Sequence, residues 1–313
     1  MNKLIVSTSP HIRTKISTQN IMRDVLIALS PAAVASVVLF GAWALLMMAV
    51  CVASAVLSEF LFNLIVKKEQ TIKDLSAAVT GLILALCLPA KTEVWQCIVG
   101  SVFAIIVVKC LFGGIGCNFA NPAVTGRVLL FASFPAAVVG GSATNFMSAE
   151  LAAGATPLVT VKNGGTLPSL LDMFLGNRGG AIGETCAIAL ILGFVYLVVR
   201  KVIHWEIPVI FAGTVFIFAL IIEGDFTVAL YHLLGGGLLF GAIFMATDYV
   251  TSPINRLGKM VFALGCGIFT VVFRFLSSMP EGVSYAILIM NILSPYIEKL
   301  TARKPLGTGG RIK

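Results

Sequence analysis

Residues 42–66 read AWALLMMAVCVASAVLSEFLFNLIV. That is an unbroken apolar run with one ionisable side chain, Glu59, and it ends on Lys67 and Lys68. A helix needs about 20 mostly apolar residues to cross the hydrocarbon of a bilayer. Working outward, several other runs approach that length. The 313 residues are 58% hydrophobic and only 12% charged, with a mean hydropathy of +1.00. A soluble domain carries about 25% charged residues. The composition therefore points to one polytopic, all-α membrane domain over residues 1–313, and it excludes a soluble fold built on a large core.

Ten spans can be drawn, near Asp24–Phe40, Ala42–Val66, Asp74–Leu88, Val94–Phe112, Pro122–Val139, Glu184–Arg200, Ile207–Ile222, Val228–Ala246, Leu257–Leu276 and Val283–Leu300. The first apolar run starts near Val25, behind a polar segment 1–23 holding Arg13, Lys15 and Arg23, so the start does not read as a cleavable signal. Sorting the 22 Lys and Arg residues by side puts 18 on one side, with segment 1–23 and the tail 301–313, and four on the other: Lys91, Lys162, Arg178 and Arg274. Basic residues favour the cytoplasmic side. Both termini are then expected in the cytoplasm, with the polar segment 141–183 on the outer side of the membrane. The net charge of +8 is a topology signal, not a nucleic-acid footprint.

A weak repeat relates Gly81-Leu82-Ile83-Leu84 to Gly237-Leu238-Leu239-Phe240 at an offset of 156 residues. Five spans per copy would invert the second copy. Inverted repeats place binding sites near the midplane, where the halves meet.

Ionisable groups inside spans are costly and often functional. The candidates are Glu59, Lys109, Arg127, Glu184, Asp248 and Arg274. Glu59 and Asp248 are the best candidates for an ion path, since a carboxylate is a hard ligand for a small cation. The Gly-rich turn Gly113–Ala123 resembles a phosphate cradle but lacks the Lys-Ser/Thr ending of a P-loop. Asn118 and Asn121, beside Arg127, are placed to hold the polar edge of a cofactor. The seven cysteines form no C-x-x-C pair and read as buried thiols, so no metal site is expected. No G-x-G-x-x-G follows a strand pattern and no iron–sulfur spacing occurs, so no NAD site, no cluster and no complete active site are expected in this chain alone.

Several motifs carry a resemblance. Ser9-Pro10-His11, Gly113–Arg127, Ile182-Gly183-Glu184-Thr185, Phe244-Met245-Ala246-Thr247-Asp248 and Tyr285–Asn291 resemble the RnfD component of Rnf complexes. That family includes the NqrB component of sodium-pumping NADH:quinone reductase. The resemblance spans nearly the whole chain. It implies a urea-transporter-like fold of about ten helices and a membrane subunit of an ion-motive ferredoxin:NAD oxidoreductase that moves Na⁺ or H⁺. It also implies FMN joined through its phosphate to a threonine in an outward loop, installed by a flavin transferase using FAD. A second, non-covalent flavin such as riboflavin is a further possibility. Electrons from ferredoxin and to NAD would pass through the other subunits of the complex.

The matching threonine is Thr156, in Gly154-Ala155-Thr156-Pro157-Leu158. Gly154 and Ala155 leave room for an enzyme to reach its hydroxyl, and Pro157 disfavours helix before it. Glu150 stands where the family usually has Asp, and Ala153 where Ser or Thr is common. Two other readings fit the spans alone: a passive solute channel of the urea-transporter type, and a cofactor-free scaffold subunit.

Overall fold

The computed structural model describes residues 17–90, 92–135, 157–162, 167–277 and 282–302. All of its regular structure is helical. The first half holds α1 (Thr18–Phe40), α2 (Ala42–Val66), α3 (Ser76–Leu86), α4 (Val94–Val102, continuing as a π-helix over Phe103–Cys110) and α5 (Pro122–Ser133). Two short helices follow, α6 (Pro157–Lys162) and α7 (Leu170–Leu175). The second half holds α8 (Ala187–Val199), α9 (Glu206–Glu223), α10 (Phe226–Leu234), α11 (Leu238–Phe240, continuing as a π-helix over Gly241–Met245), α12 (Arg256–Leu276) and α13 (Val283–Thr301).

Helices occupy all ten expected spans, but few are full crossings. Among the described residues, four continuous helices are long and apolar enough to cross a membrane: α1, α2, α9 and α12. A fifth arises if α10 and α11, bent by 56° at their junction, count as one span. The third and sixth spans shrink to 11 and 13 residues. At 1.5 Å per residue these reach about 17 and 20 Å, well short of a 30 Å core. The expected span Val228–Ala246 is interrupted at Gly235-Gly236-Gly237, where the last two have φ of +63° and +66°. L-side chains rarely adopt that backbone, so these glycines set the break. The expected loop 141–183 also contains α6 and α7.

The sequence match at an offset of 156 residues does not pair equivalent positions, but helix N-caps recur at a spacing of 162. Gly81 lies inside α3 against the backbone of Cys51, whereas Gly237 is an N-cap. The structural partner of Gly237 is Leu75, 162 residues earlier: both are left-handed N-caps, of α11 and α3 respectively. The N-caps Glu93 and Asn255, of α4 and α12, are also 162 residues apart. Packing follows the same correspondence. α2 lies against α3 and α4, and α4 against α5; α9 lies against α11 and α12, and α12 against α13.

The halves meet where α1 packs on α8 and α5 on α13. Tyr196 of α8 and Arg200 at its C-cap both reach Asp24 of α1 at 3.2 Å. After α3 the chain runs antiparallel to residues 181–183: the N–H groups of Ile182 and Gly183 donate to Leu88 O and Leu86 O. Those bonds satisfy carbonyls that a helix end leaves orphaned. They also fix Glu184 beside the second half. Large apolar side chains such as Val34, Leu64, Leu192 and Leu276 remain exposed around the outside, as lipid contact requires.

Candidate functional site

Two polar regions lie within this apolar body. The first is a cavity of about 420 Å³. It is bounded by the start of α1, α3, the Gly-rich turn, the start of α5 and residues 243–250. Most of its wall is aliphatic, including Ile21, Val79, Ile83 and Ile243. Its polar groups include Ser76, Lys109, Asn118, Asn121, Thr247 and Asp248.

Lys109 joins this wall to Glu59. Its ammonium donates to both Glu59 oxygens at 2.9 Å and to Ser76 Oγ at 2.6 Å. Glu59 is 2% exposed and Lys109 3%. Thr71 Oγ1 also donates to Glu59, Asn63 to Thr71, and Ser76 to Asp74. The acid singled out in the sequence is therefore neutralised by a cation 50 positions later. Thr251 Oγ1 donates at 3.0 Å to Asp248, which also lines the cavity. The Asp248 carboxylate also accepts from Asn118 and from the backbone N–H groups of Tyr249 and Val250.

Asn118 and Asn121 both line the cavity. Asn121 Oδ1 caps α5 by accepting from the N–H groups of Ala123 and Val124, and its Nδ2 donates to Met245 O. Most of its hydrogen-bonding capacity is thus structural. Arg127 does not share this site; it lies about a turn and a half along α5, near Gly237. The Gly-rich turn, with Gly113, Gly114 and Gly116 at φ of +126°, +105° and +88°, forms one cavity edge.

The second region is the break between α10 and α11. Arg178 donates to the carbonyls of Glu184, Thr185 and Leu234. Arg274 donates to those of His232 and Gly235. Two buried guanidiniums thus satisfy the carbonyl end of α10, where the helix dipole favours cations. The Glu184 carboxylate sits at Gly237, the N-cap of α11, where the dipole favours an anion; Arg127 Nη1 is 3.7 Å from where a Cβ on Gly237 would lie. The basic-residue sorting expects Arg178 and Arg274 at an outer surface, but they are 3% and 4% exposed. Nothing in the sequence flags Arg178, which lies in a polar stretch outside the drawn spans.

Leu158 of α6 packs on Gly235 and Gly236. Thr156, Gly154 and Ala155 lie outside the described residues. Among the described residues, no three His, Cys, Asp or Glu side chains gather to hold a metal.

A family model described as "NQR2, RnfD, RnfE family" matches residues 5–307. The chain belongs to this family. Its relatives include the D components of three ion-translocating oxidoreductase complexes. The first, from the Na(+)-translocating ferredoxin:NAD(+) oxidoreductase complex of Acetobacterium woodii, is 44% identical over 308 residues, covering 97% of this chain and 95% of the relative. The second, from the proton-translocating ferredoxin:NAD(+) oxidoreductase complex of Clostridium ljungdahlii, is 40% identical over 322 residues, with coverages of 98% and 97%. The third, from the ion-translocating oxidoreductase complex of Stutzerimonas stutzeri, is 36% identical over 336 residues, covering 95% and 94%.

Proposed function

We propose that this chain is the RnfD-type membrane subunit of an ion-translocating ferredoxin:NAD⁺ oxidoreductase complex. The observation that carries this is the match of nearly its whole length to such subunits. It works within a translocase whose other subunits exchange electrons with ferredoxin and NAD. Flavin supplies the redox chemistry. FMN is held as a phosphoester on Thr156, installed by a flavin transferase, with Gly154 and Ala155 leaving the hydroxyl accessible.

A second, non-covalent flavin suits the cavity. The volume lies within the ordinary range for organic ligands, and a mainly apolar wall with few polar groups is the usual form of such sites. A flavin's imide edge offers one N–H between two carbonyls. Asp248 and Asn118 are the carboxylate and amide that recognise such an edge, while Lys109 supplies a cation in the same lining. Glu59 and Asp248 flank this cavity as the acids of the ion path, for Na⁺ or H⁺.

The topology we infer has ten membrane segments in two inverted halves, resembling urea transporters, with segments 1–23 and 301–313 cytoplasmic and 141–183 outside. The recurring N-caps support it. So does the basic-residue sorting once buried groups are removed. Lys109, Arg127, Arg178 and Arg274 are internal, which leaves 16 basic residues inside and two outside. Flavin fluorescence that remains with the denatured subunit on a gel tests the reading; a non-fluorescent band from active complex would contradict it.

A further inference from the structure

We propose that the seam where α13 meets α5 and the π-helical end of α11 is a water-filled track from the cavity toward the α10–α11 break. Three hydroxyl and amide side chains of α13, Ser284, Asn291 and Ser294, are 4%, 2% and 6% exposed. At 100° per residue they fall within an arc of about 80°, and they extend over about 15 Å, half the thickness of a bilayer's hydrocarbon. Neither the amide nitrogen nor the oxygen of Asn291 has a hydrogen-bond partner among the described residues, and Ser284 Oγ has none either.

A buried amide left unsatisfied on both atoms is costly, and surrounding lipid offers it nothing. The unmet groups define the ligand. Asn291 presents an unmet donor and an unmet acceptor on one side chain. A bound cation answers only the acceptor and an anion only the donor, whereas water answers both. Buried waters ordinarily make about three such bonds to otherwise unsatisfied groups. Ser284 and Asn291 are about two helical turns apart, so a short file of waters is needed rather than one.

The neighbours give the file two ends. α13 packs closely on the π-helix: a Cβ on Gly241 would meet Val283 Cγ1 at 2.5 Å and Ile287 Cδ1 at 3.3 Å. It touches α5 through the Tyr285 and Phe131 rings, 5.7 Å apart. Those two neighbours are tied together at the cavity by the Asn121–Met245 hydrogen bond. Farther along the same two elements stand Arg127 on α5 and Gly237, with the Glu184 carboxylate, at the head of α11. Neutral amides and hydroxyls along such a file pass a proton or a hydrated cation without trapping it. Its use as an ion route rests on the translocase reading above; its hydration does not.

The test uses the assembled complex in inside-out vesicles. Ser284→Cys and Asn291→Cys are exposed to silver ion and to a small charged methanethiosulfonate, quenched and denatured, and the remaining free thiols are quantified by peptide mass spectrometry. Native Cys266, fully buried on α12, is the dry comparator. The introduced thiols are expected to react at least about tenfold faster than Cys266; rates equal to Cys266 would overturn the hydrated seam. Asn291→Leu gives a second readout. A dry orphan amide predicts a higher Tm on replacement by an apolar side chain, which would also overturn the proposal. A hydrated track predicts an unchanged or lower Tm, with ion uptake per electron cut at least about tenfold. Normal uptake by Asn291→Leu vesicles would overturn the route. Absent uptake by the unsubstituted complex would instead overturn the translocase reading, while the labelling still decides the seam.

Discussion

Lys109 and Glu59, 50 positions apart, form a buried ion pair in which one ammonium lies 2.9 Å from both carboxylate oxygens. Removing one partner of such a pair strands the other's charge and typically costs about 3–5 kcal/mol, whereas replacing both is often tolerated. Glu59→Gln alone should therefore lower the Tm of the complex more than Glu59→Gln combined with Lys109→Met. A double variant that folds and yet loses ion uptake places the pair on the ion path. A double variant that pumps normally assigns the pair to structure alone. A double variant less stable than the single would contradict the pairing.

Gly237 combines a φ of +66° with the Glu184 carboxylate against its α-carbon. Left-handed backbone costs an ordinary residue about 1–2 kcal/mol. A methyl at this position must also displace Glu184. Gly237→Ala should lower the Tm, while Gly213→Ala, where nothing lies within 4 Å of an added Cβ, should not. Equal effects at both positions would mean that the break does not depend on this glycine.

A cysteine placed at Asn163 should react with an impermeant thiol reagent added to intact cells. Labelling confined to inverted vesicles would reverse the proposed orientation.

Much of the fold is legible because span length and composition are one-dimensional. The positions of α2, α9 and α12 follow from where apolar runs begin and end. That glycines interrupt some spans is legible, but that the break falls at Gly235–Gly237 is not, because three glycines inside an apolar run read equally well as close packing; only the approach of Leu158 and Glu184 shows why side chains are absent there. Matching letters pair Gly81 with Gly237, whereas the backbone conformation of Gly237 recurs at Leu75, which shares no letter with it. Their place in spans flags Glu59, Lys109, Arg127, Glu184 and Arg274 individually. Which of them pair depends on helix packing, and Arg127 parts from Asn118 and Asn121 because α5 carries it deeper than the cap.

The central claim is that this subunit carries flavin on its own polypeptide. Mass spectrometry of the Thr156 peptide from purified, active complex tests it most directly. The account predicts a peptide heavier by one FMN joined as a phosphoester, and lost in Thr156→Ala while the membrane helices still assemble. An unmodified Thr156 peptide from complex that retains full activity would contradict it.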